Sequence, residues 1–255
     1  MTNKENEMIS IIMPAYNAEK TLGAAIESVI SQTYPCWELI VVNDASRDGT
    51  NEIAQAYAAG DQRIRVLCNE KNCGVSETRL RGLQASRGQW IALLDSDDAW
   101  APDKLKKQMD VANAANAKLV FTGSGYMDEN GNRIDWMLHV PEKIVYRKLL
   151  KQNLISNSSV LIRKECYQEH LCIADGAHED FVCWLRFLRT GETAYGIDEP
   201  LLIYRVSSGS KSGNKLHSAQ MAWRAYRIVG LSIPETLYYM VWYTITGILK
   251  HRHLK

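Results

Sequence analysis

Three carboxylates follow one apolar run in the sequence. Residues 90–94 are apolar over a length that suits one buried strand, and Asp95-Ser96-Asp97-Asp98 comes directly after them. Carboxylates at the end of a buried strand carry a high desolvation cost unless they are paired or bind a metal ion. A divalent cation with a phosphorylated ligand would lower that cost, because hard cations prefer carboxylate oxygens. The alternative is a polar loop in which Asp97 or Asp98 caps the next helix.

Strands and helices alternate through the first hundred residues. Continuous apolar strands are predicted at 8–13, 37–42, 64–67 and 90–94, with helical periodicity between them. This alternation predicts an α/β fold whose sheet is mainly parallel and Rossmann-like, with helices on both faces. The carboxyl ends of its strands then lie at one edge, which is where open α/β sheets bind ligands.

Polar side chains from separate segments should meet at that edge. The segment Pro14-Ala15-Tyr16-Asn17 follows the first strand, Asp44 follows the second, and Arg79 lies on the helix before Asp95-Ser96-Asp97. Together they describe a slot for a nucleotide, in which Tyr16 offers a face to the base and Asp44 accepts from a ring N–H. Arg79 would donate to a base carbonyl or a phosphate. Each residue also has an ordinary alternative, as a surface aromatic, a turn residue or a solvated arginine.

Bulk properties exclude several function classes. The 255 residues carry a net charge of +1 at pH 7, which gives no electrostatic case for nucleic acid. The six cysteines contain no C-x-x-C pair, so a zinc site is disfavoured and reduced cytoplasmic thiols are the simpler interpretation. We find no signal peptide and no apolar run of the roughly 20 residues that a membrane-spanning helix needs. Neither G-x-G-x-x-G nor another glycine-rich phosphate loop follows the first strand, which disfavours a dinucleotide oxidoreductase and a sugar-nucleotide nucleotidylyltransferase.

A second carboxylate pair, Glu179-Asp180, precedes an amphipathic helix that carries Trp184. One interpretation is a helix N-terminus rich in acids, which the helix dipole favours. The other is a general base, because a carboxylate can take the proton of an attacking hydroxyl. Trp184 either stacks against the acceptor or belongs to the core.

Four segments resemble the family-2 glycosyltransferases of the GT-A fold. They are SIIMPAYN at 10–17, ELIVVNDASRDGT at 38–50, NCGVSETR at 72–79 and LDSDD at 94–98. The order and spacing are specific as an ensemble and cover residues 8–100 closely, and the similarity extends to teichuronic acid, O-antigen and capsule enzymes. The resemblance implies a nucleotide-diphosphate sugar donor, usually a UDP-sugar, and Mn or Mg.

The resemblance also implies residue roles at the aspartate cluster and the second carboxylate pair. Asp97 is then the main metal ligand, Asp95 lies near the ribose and the metal, and Asp98 acts less directly. Glu179-Asp180 is similar to the family's acceptor-side motif, in which the aspartate is the base, so Asp180 is preferred.

Further roles follow from the same resemblance for the segment after the last predicted strand. In similar enzymes a loop at this place closes over the donor diphosphate, and Arg205 and Lys211 are its cationic candidates. His217 would supply a further metal ligand, as a histidine does in some GT-A enzymes.

Residues 1–213 are predicted as a GT-A catalytic domain, with a nucleotide-binding half at 8–100 and an acceptor-binding half at 101–213. Residues 214–255 are predicted as a C-terminal amphipathic helical tail, where tyrosines and tryptophans crowd beside apolar residues and positive charge. Such a composition suits a membrane interface, and packing on the domain or on a second subunit is the alternative.

The combined prediction is an inverting, metal-dependent glycosyltransferase. It would act in the cytoplasm or peripherally on the inner face of the membrane, on a glycan or a polyprenyl-diphosphate-linked acceptor. A nucleotide-sugar-binding or scaffold protein without catalysis is the non-enzymatic alternative.

Overall fold

The computed structural model describes residues 7–174, 176–206 and 215–251. The strands are β1 (Ile9–Ala15), β2 (Trp37–Asn43), β3 (Ile64–Cys68), β4 (Trp90–Leu93), β5 (Ala99–Trp100), β6 (Leu119–Met127), β7 (Arg133–Leu138), β8 (Lys143–Ile144), β9 (Leu161–Arg163) and β10 (Ala194–Arg205). The helices are α1 (Leu22–Ile30), α2 (Thr50–Gly60), α3 (Val75–Ala85), α4 (Lys104–Ala115), α5 (Tyr146–Lys151), α6 (Lys164–His170), α7 (Glu179–Arg189), α8 (Lys215–Ile228) and α9 (Ile233–His251).

One sheet runs through both predicted halves of the catalytic domain, in the order β3-β2-β1-β4-β9-β6-β10-β5, with β7 beside β6 and β8 beside β10. The strands β3, β2, β1 and β4 are parallel, as the alternating pattern predicts. The second half is different, because β9 is antiparallel to both of its neighbours, β4 and β6. The predicted α/β class is therefore confirmed, and the parallel arrangement dominates the nucleotide-binding half rather than the whole sheet.

Both faces of the sheet are covered by apolar side chains. Ile11 and Met13 of β1 pack into a core with α1, α2 and α4, while Ile12 packs into a second core with α3 and α7. A strand buried on both faces favours a continuous apolar sequence over an alternating one. This explains why β1, β2 and β4 read as unbroken apolar runs.

The register of β10 shifts between Ile197 and Leu202 relative to β6, and Pro200 lies inside this irregularity. Proline has no N–H to donate to a ladder, so a bulge is where a strand accommodates it. Beyond the bulge, Leu202 and Ile203 resume pairing and lead to Arg205, the last residue of the strand. The bulge thus allows the strand to continue as far as the aspartate cluster.

The C-terminal helices differ in how they pack. Tyr226 of α8 is fully buried, and its hydroxyl donates to the backbone oxygen of Leu150 at 2.8 Å. Helix α9 contacts α5 and α8 but keeps large apolar side chains exposed along one face. The first part of the predicted tail therefore packs on the domain. Among the described helices, none combines the length and apolarity needed to cross a membrane.

Candidate active site

The aspartate cluster forms the loop between β4 and β5. The side chain of Asp98 is buried, and its Oδ1 accepts the backbone N–H of Arg205 at 3.1 Å. Burial, with the nearby Asp97 and Asp95, raises the pKa of Asp98 well above its usual value. The cap alternative is wrong, because α4 begins only after Asp103. Asp98 instead points into the protein and ties the loop to β10 through Arg205, while Asp97 is exposed to solvent.

Asp97 presents an exposed carboxylate at the sheet edge. Desolvation by the surrounding protein, with the charge of Asp95, raises the pKa of Asp97 to about 6. A cation beside it would remove that penalty. The described residues contain no group of three metal-ligating side chains, so His217 does not join Asp95 and Asp97 in such a group. The donor set nevertheless fits Mg or Mn on a nucleotide, because Mg typically uses one or two carboxylates and takes its other ligands from phosphates and water.

The segment after β1 forms the neighbouring wall. Pro14 and Ala15 are buried within the strand, whereas the Tyr16 ring is 48% exposed and open to a planar ligand. Asn17 has a positive φ of 49°, and its side-chain oxygen accepts the Arg47 backbone N–H at 2.9 Å. The left-handed conformation that asparagine tolerates therefore joins this wall to the loop after β2.

Asp44 lies at the end of β2 and is 3% exposed. Its Oδ1 accepts from Asn69 Nδ2 at 2.6 Å and from the Cys73 N–H at 2.9 Å, and its Oδ2 accepts from the Gly74 N–H at 2.9 Å. A carboxylate has about four lone-pair sites, so one remains for a base N–H. Asp44 thus holds the loop before α3 in place, a contribution that the sequence did not predict.

Arg79 takes a position that the sequence did not predict either. The side chain is buried, and its two terminal nitrogens donate to Asp95 Oδ1 at 2.7 Å and to Glu179 Oε1 at 2.8 Å. The two carboxylates raise the pKa of Arg79 against the opposing effect of burial. Both terminal nitrogens of Arg79 are thus engaged by carboxylates, whereas the sequence predicted that they donate to a base carbonyl or a phosphate. Arg79 instead connects the aspartate cluster to the second carboxylate pair across 100 residues of sequence.

Replacing Arg79 with methionine should lower the free energy of unfolding by about 2–4 kcal/mol, because two poorly solvated carboxylates lose their shared partner. Urea denaturation measures the change. Arg81→Met is the matched control: Arg81 lies on the same helix and bonds to exposed partners, Asn69 Oδ1 and the Cys68 backbone oxygen. The control should cost less than about 1 kcal/mol. Equal losses in both variants would contradict a central role for Arg79.

The second carboxylate pair begins α7 beside a small cavity. The cavity has a volume of about 10 Å³, and its lining includes Glu179 and Asp180. Arg79, Asn157 and Trp184, each with a buried N–H donor, line it as well. Within the described part of the chain, Arg79 Nε, Asn157 Nδ2 and Trp184 Nε1 donate no hydrogen bond. Buried N–H groups without acceptors are costly, and this volume accommodates about one oxygen atom with its hydrogens. The cavity is thus suited to a hydroxyl oxygen.

Asp180 and Glu179 differ in their surroundings. Glu179 is held in the ion pair with Arg79. Burial, and then the charge of Glu179, raises the pKa of Asp180 to about 6, against the opposing effects of His178 and Arg79. A base works best when its pKa lies near the working pH. Asp180 is thus the member of the pair that is not neutralised by an ion pair with Arg79, and its role as the proton acceptor stays a prediction.

Trp184 is fully buried, and its ring stacks on Tyr167 with the centroids 6.2 Å apart. Its face is therefore not open to a sugar, and the core alternative describes the ring. Trp184 nevertheless lines the cavity beside Asp180, and its indole N–H is one of the buried donors without an acceptor.

Arg205 lies against the aspartate cluster. Its Nε donates to the backbone oxygen of Asp97 at 2.9 Å, and its Nη1 donates to the backbone oxygens of Asp128 and Glu129. These bonds fix the Arg205 guanidinium beside the aspartate cluster. Lys211 lies outside the described residues. His217 lies at the start of α8 and is exposed.

Ser158 is a site residue that the sequence did not assign. It lies in a short 3₁₀ turn before β9, and its Oγ accepts the Asp95 backbone N–H at 3.1 Å and bonds to the Asp98 carboxylate. The signal in the sequence was the polar run 156–159 ahead of an apolar strand. Only the antiparallel pairing of β9 with β4 brings this run to the aspartate cluster.

Two solved structures share this fold. The structure of Staphylococcus aureus TarS in complex with UDP-GlcNAc superposes with a TM-score of 0.72, at 17% identity, over 91% of this chain and 70% of that one. A mannosyltransferase from Pyrobaculum calidifontis, in complex with GDP-Man and Mn²⁺, superposes with a TM-score of 0.70, at 16% identity, over 92% and 68%. The fold is thus the GT-A fold of glycosyltransferases.

Sequence comparison identifies the family. The model of "Glycosyl transferase family 2" matches residues 10–171, so the chain belongs to that family. A putative teichuronic acid biosynthesis glycosyltransferase, TuaG of Bacillus subtilis, is 36% identical over 94% of this chain and 93% of its own length. WfgD of Escherichia coli, a UDP-Glc:α-D-GlcNAc-diphosphoundecaprenol β-1,3-glucosyltransferase, is 33% identical over 97% of this chain and 96% of its own length.

Proposed function

We propose that this protein transfers a sugar from a UDP-sugar to a hydroxyl of a lipid-linked precursor of a bacterial surface polysaccharide, with inversion. The observation that carries the proposal is the position of Arg79, which donates to Asp95 of the aspartate cluster and to Glu179 of the second carboxylate pair, each at less than 3 Å. One side chain thus connects the loop that we assign to the donor with the carboxylates that we assign to the acceptor. The relatives TuaG and WfgD support the substrate class by their names.

The donor side is assigned to the sheet edge. Tyr16 offers its exposed ring to the uracil, and Asp44 holds the loop before α3 with one acceptor site left for a base N–H. Asp97, supported by Asp95, would hold Mn or Mg, and the ion would stabilise the charge that develops on the leaving UDP. Arg205 adds a fixed cation at the same place.

The acceptor side is assigned to the cavity beside α7. The acceptor hydroxyl oxygen takes the place that Trp184 Nε1 and Asn157 Nδ2 surround, and accepts from these donors. Asp180 takes the hydroxyl proton as the oxygen attacks the anomeric carbon. Attack from the side opposite the leaving diphosphate inverts the anomeric configuration.

A panel of nucleotide sugars tests the donor class. Purified protein is incubated with UDP-, GDP- and dTDP-sugars, with and without Mn²⁺, and release of the nucleoside diphosphate is measured. We expect release from a UDP-sugar only when Mn²⁺ or Mg²⁺ is present. Equal release after chelation of all metal would contradict the assignment of Asp97. A scaffold protein that had lost catalysis would bind UDP and release nothing from any donor.

The exposed face of α9 supports association with the membrane surface. Its large exposed apolar side chains are Ile233, Leu237, Tyr238, Val241, Trp242 and Ile245. The adjoining α5 adds exposed cations, Arg147, Lys148 and Lys151, and the Lys151 ammonium lies 5.0 Å from the Trp242 ring centroid. An apolar stripe beside cations suits a surface of anionic lipid. The free state of all six cysteines agrees with a cytoplasmic location.

Val241→Glu should weaken binding to liposomes that contain anionic lipid by at least about fivefold, because it places a charge in the middle of the apolar stripe. Co-sedimentation measures the bound fraction. Ile30→Glu is the matched control, since Ile30 is also an exposed apolar residue, on α1, with 38% of its surface accessible. If both variants bind liposomes like the wild type, the membrane assignment of α9 is wrong.

A further inference from the structure

A second, larger cavity lies between α8 and α9. Its volume is about 460 Å³, and it is lined by Ala219, Gln220, Trp223 and Arg224 of α8 and by Met240 of α9. Most of the lining is apolar, and the polar groups are one guanidinium and one amide. An apolar pocket with few convergent polar groups is the usual form of a ligand site.

Two contacts join this cavity to the loop that carries the proposed base. Arg224 Nη1 donates to the Gly176 backbone oxygen at 3.2 Å, and His178 Nε2 lies 3.3 Å from Ser218 Oγ, one residue before the cavity lining begins. Gly176 has a positive φ of 73°, and a Cβ there would clash with Arg224 Nη1, so glycine permits the close approach. Asp180 lies four positions after Gly176, which limits their Cα distance to about 14 Å.

We propose that this cavity binds the diphosphate and the first isoprenoid units of a lipid-linked acceptor. The Arg224 guanidinium binds the diphosphate, and Trp223 and Met240 contact the isoprenoid chain. This inference rests on the proposed function, because it places the lipid end of the acceptor whose sugar end reaches Asp180.

The chemistry of the lining supports this ligand over a free sugar. A guanidinium matches phosphate oxygens with parallel hydrogen bonds, and its charge is retained at every working pH. Trp223 and Met240 offer apolar surface that a sugar diphosphate alone would not cover. Met240 belongs to α9, the helix whose exposed stripe we assign to the membrane. The cavity thus adjoins that helix and, through the bond from Arg224 to Gly176, the loop that leads to Asp180.

Binding of geranylgeranyl diphosphate in detergent tests the proposal, with geranylgeraniol in the same detergent as the probe that lacks the diphosphate. Titration calorimetry should show that Arg224→Ala binds geranylgeranyl diphosphate at least tenfold more weakly than the wild type does. Its binding of UDP with Mn²⁺ should be unchanged. Arg227→Ala is the matched control, because Arg227 also lies on α8, is exposed and donates to one backbone oxygen, that of Leu231, without lining the cavity. Ala219→Trp, which fills the cavity, should weaken binding as well.

Two results would overturn the inference: equal binding of both probes by the wild type, or wild-type affinity in Arg224→Ala and Ala219→Trp. Failure here differs from failure of the proposed function. If only the lipid site is wrong, the wild type and Arg224→Ala still release UDP from the donor with Mn²⁺ and transfer sugar at equal rates. If the proposed function is wrong, no donor is turned over by any variant.

Discussion

Asp97→Ala should reduce sugar transfer by at least about 100-fold, because it removes the exposed carboxylate proposed to hold the metal ion on the diphosphate. Stabilisation of the leaving diphosphate by a metal ion contributes several kcal/mol to the transition state, and about 2.7 kcal/mol corresponds to 100-fold. Fold stability should not fall, since the pKa of Asp97 is raised and its ionised form gains nothing from folding. Initial rates of UDP release and a thermal melt measure the two effects.

Mn²⁺ binding in the presence of UDP gives a readout that is independent of turnover. Calorimetry should show that Asp97→Ala loses the Mn²⁺-dependent part of UDP affinity. Asp110→Ala is the control, because Asp110 is exposed and pairs with Lys106 one helical turn away. Retention of metal-dependent UDP binding by Asp97→Ala would assign the metal to other residues.

Asp180→Asn should reduce transfer by about 10²–10⁴-fold, the range typical of a lost general base. The isosteric amide keeps the shape of the residue but has no basic carboxylate to take the proton. UDP and Mn²⁺ should bind with wild-type affinity, because Asp180 belongs to the acceptor side. The variant should be at least as heat-stable as the wild type at pH 8. Burial raises the pKa of Asp180, so its ionisation above about pH 6 costs folding free energy.

The same pKa sets the pH dependence of transfer. Asp180 is a base only when deprotonated, and burial with the charge of Glu179 raises its pKa to about 6. The rate should therefore fall about tenfold per unit as the pH drops below 6, at saturating Mn²⁺ and donor. A flat profile between pH 5 and 7 would contradict the assignment.

Glu179→Gln separates the two acids of the pair. Because Glu179 forms an ion pair with Arg79, this variant should lose heat stability. It should keep an acid limb in the pH profile, moved to lower pH, because the charge of Glu179 no longer raises the pKa of Asp180. If Glu179 were the base, the limb would vanish in Glu179→Gln and survive in Asp180→Asn.

The sequence predicted the parts of this site that depend on local pattern. Continuous apolar runs identified β1, β2 and β4, and the rule that ligands bind beyond strand ends placed Asp44 and Asp97 at one edge. The pairing partner of Arg79 was not predictable in this way. An arginine inside a helix carries no sign of the carboxylates that it will meet, and Glu179 lies 100 residues further along the chain.

The two tryptophans of the acceptor region show the same limit. Trp184 has helical spacing that fits an exposed stacking residue and a core residue equally well, and only its packing on Tyr167 decides. Trp223 was one of many aromatics in the tail, and its place in the cavity between α8 and α9 depends on how these helices pack on α7 and α5. Long-range packing, rather than propensity, fixes such positions.

The stereochemistry of the product tests the central claim most directly. The protein is incubated with an α-linked UDP-sugar, Mn²⁺ and an acceptor in which GlcNAc is joined through a diphosphate to a polyprenyl chain, and the anomeric proton of the product is resolved by NMR. Direct attack by a hydroxyl deprotonated by Asp180 predicts a β-linked product that Asp180→Asn does not form. An α-linked product, or a β-linked product formed at the wild-type rate by Asp180→Asn, would contradict the account.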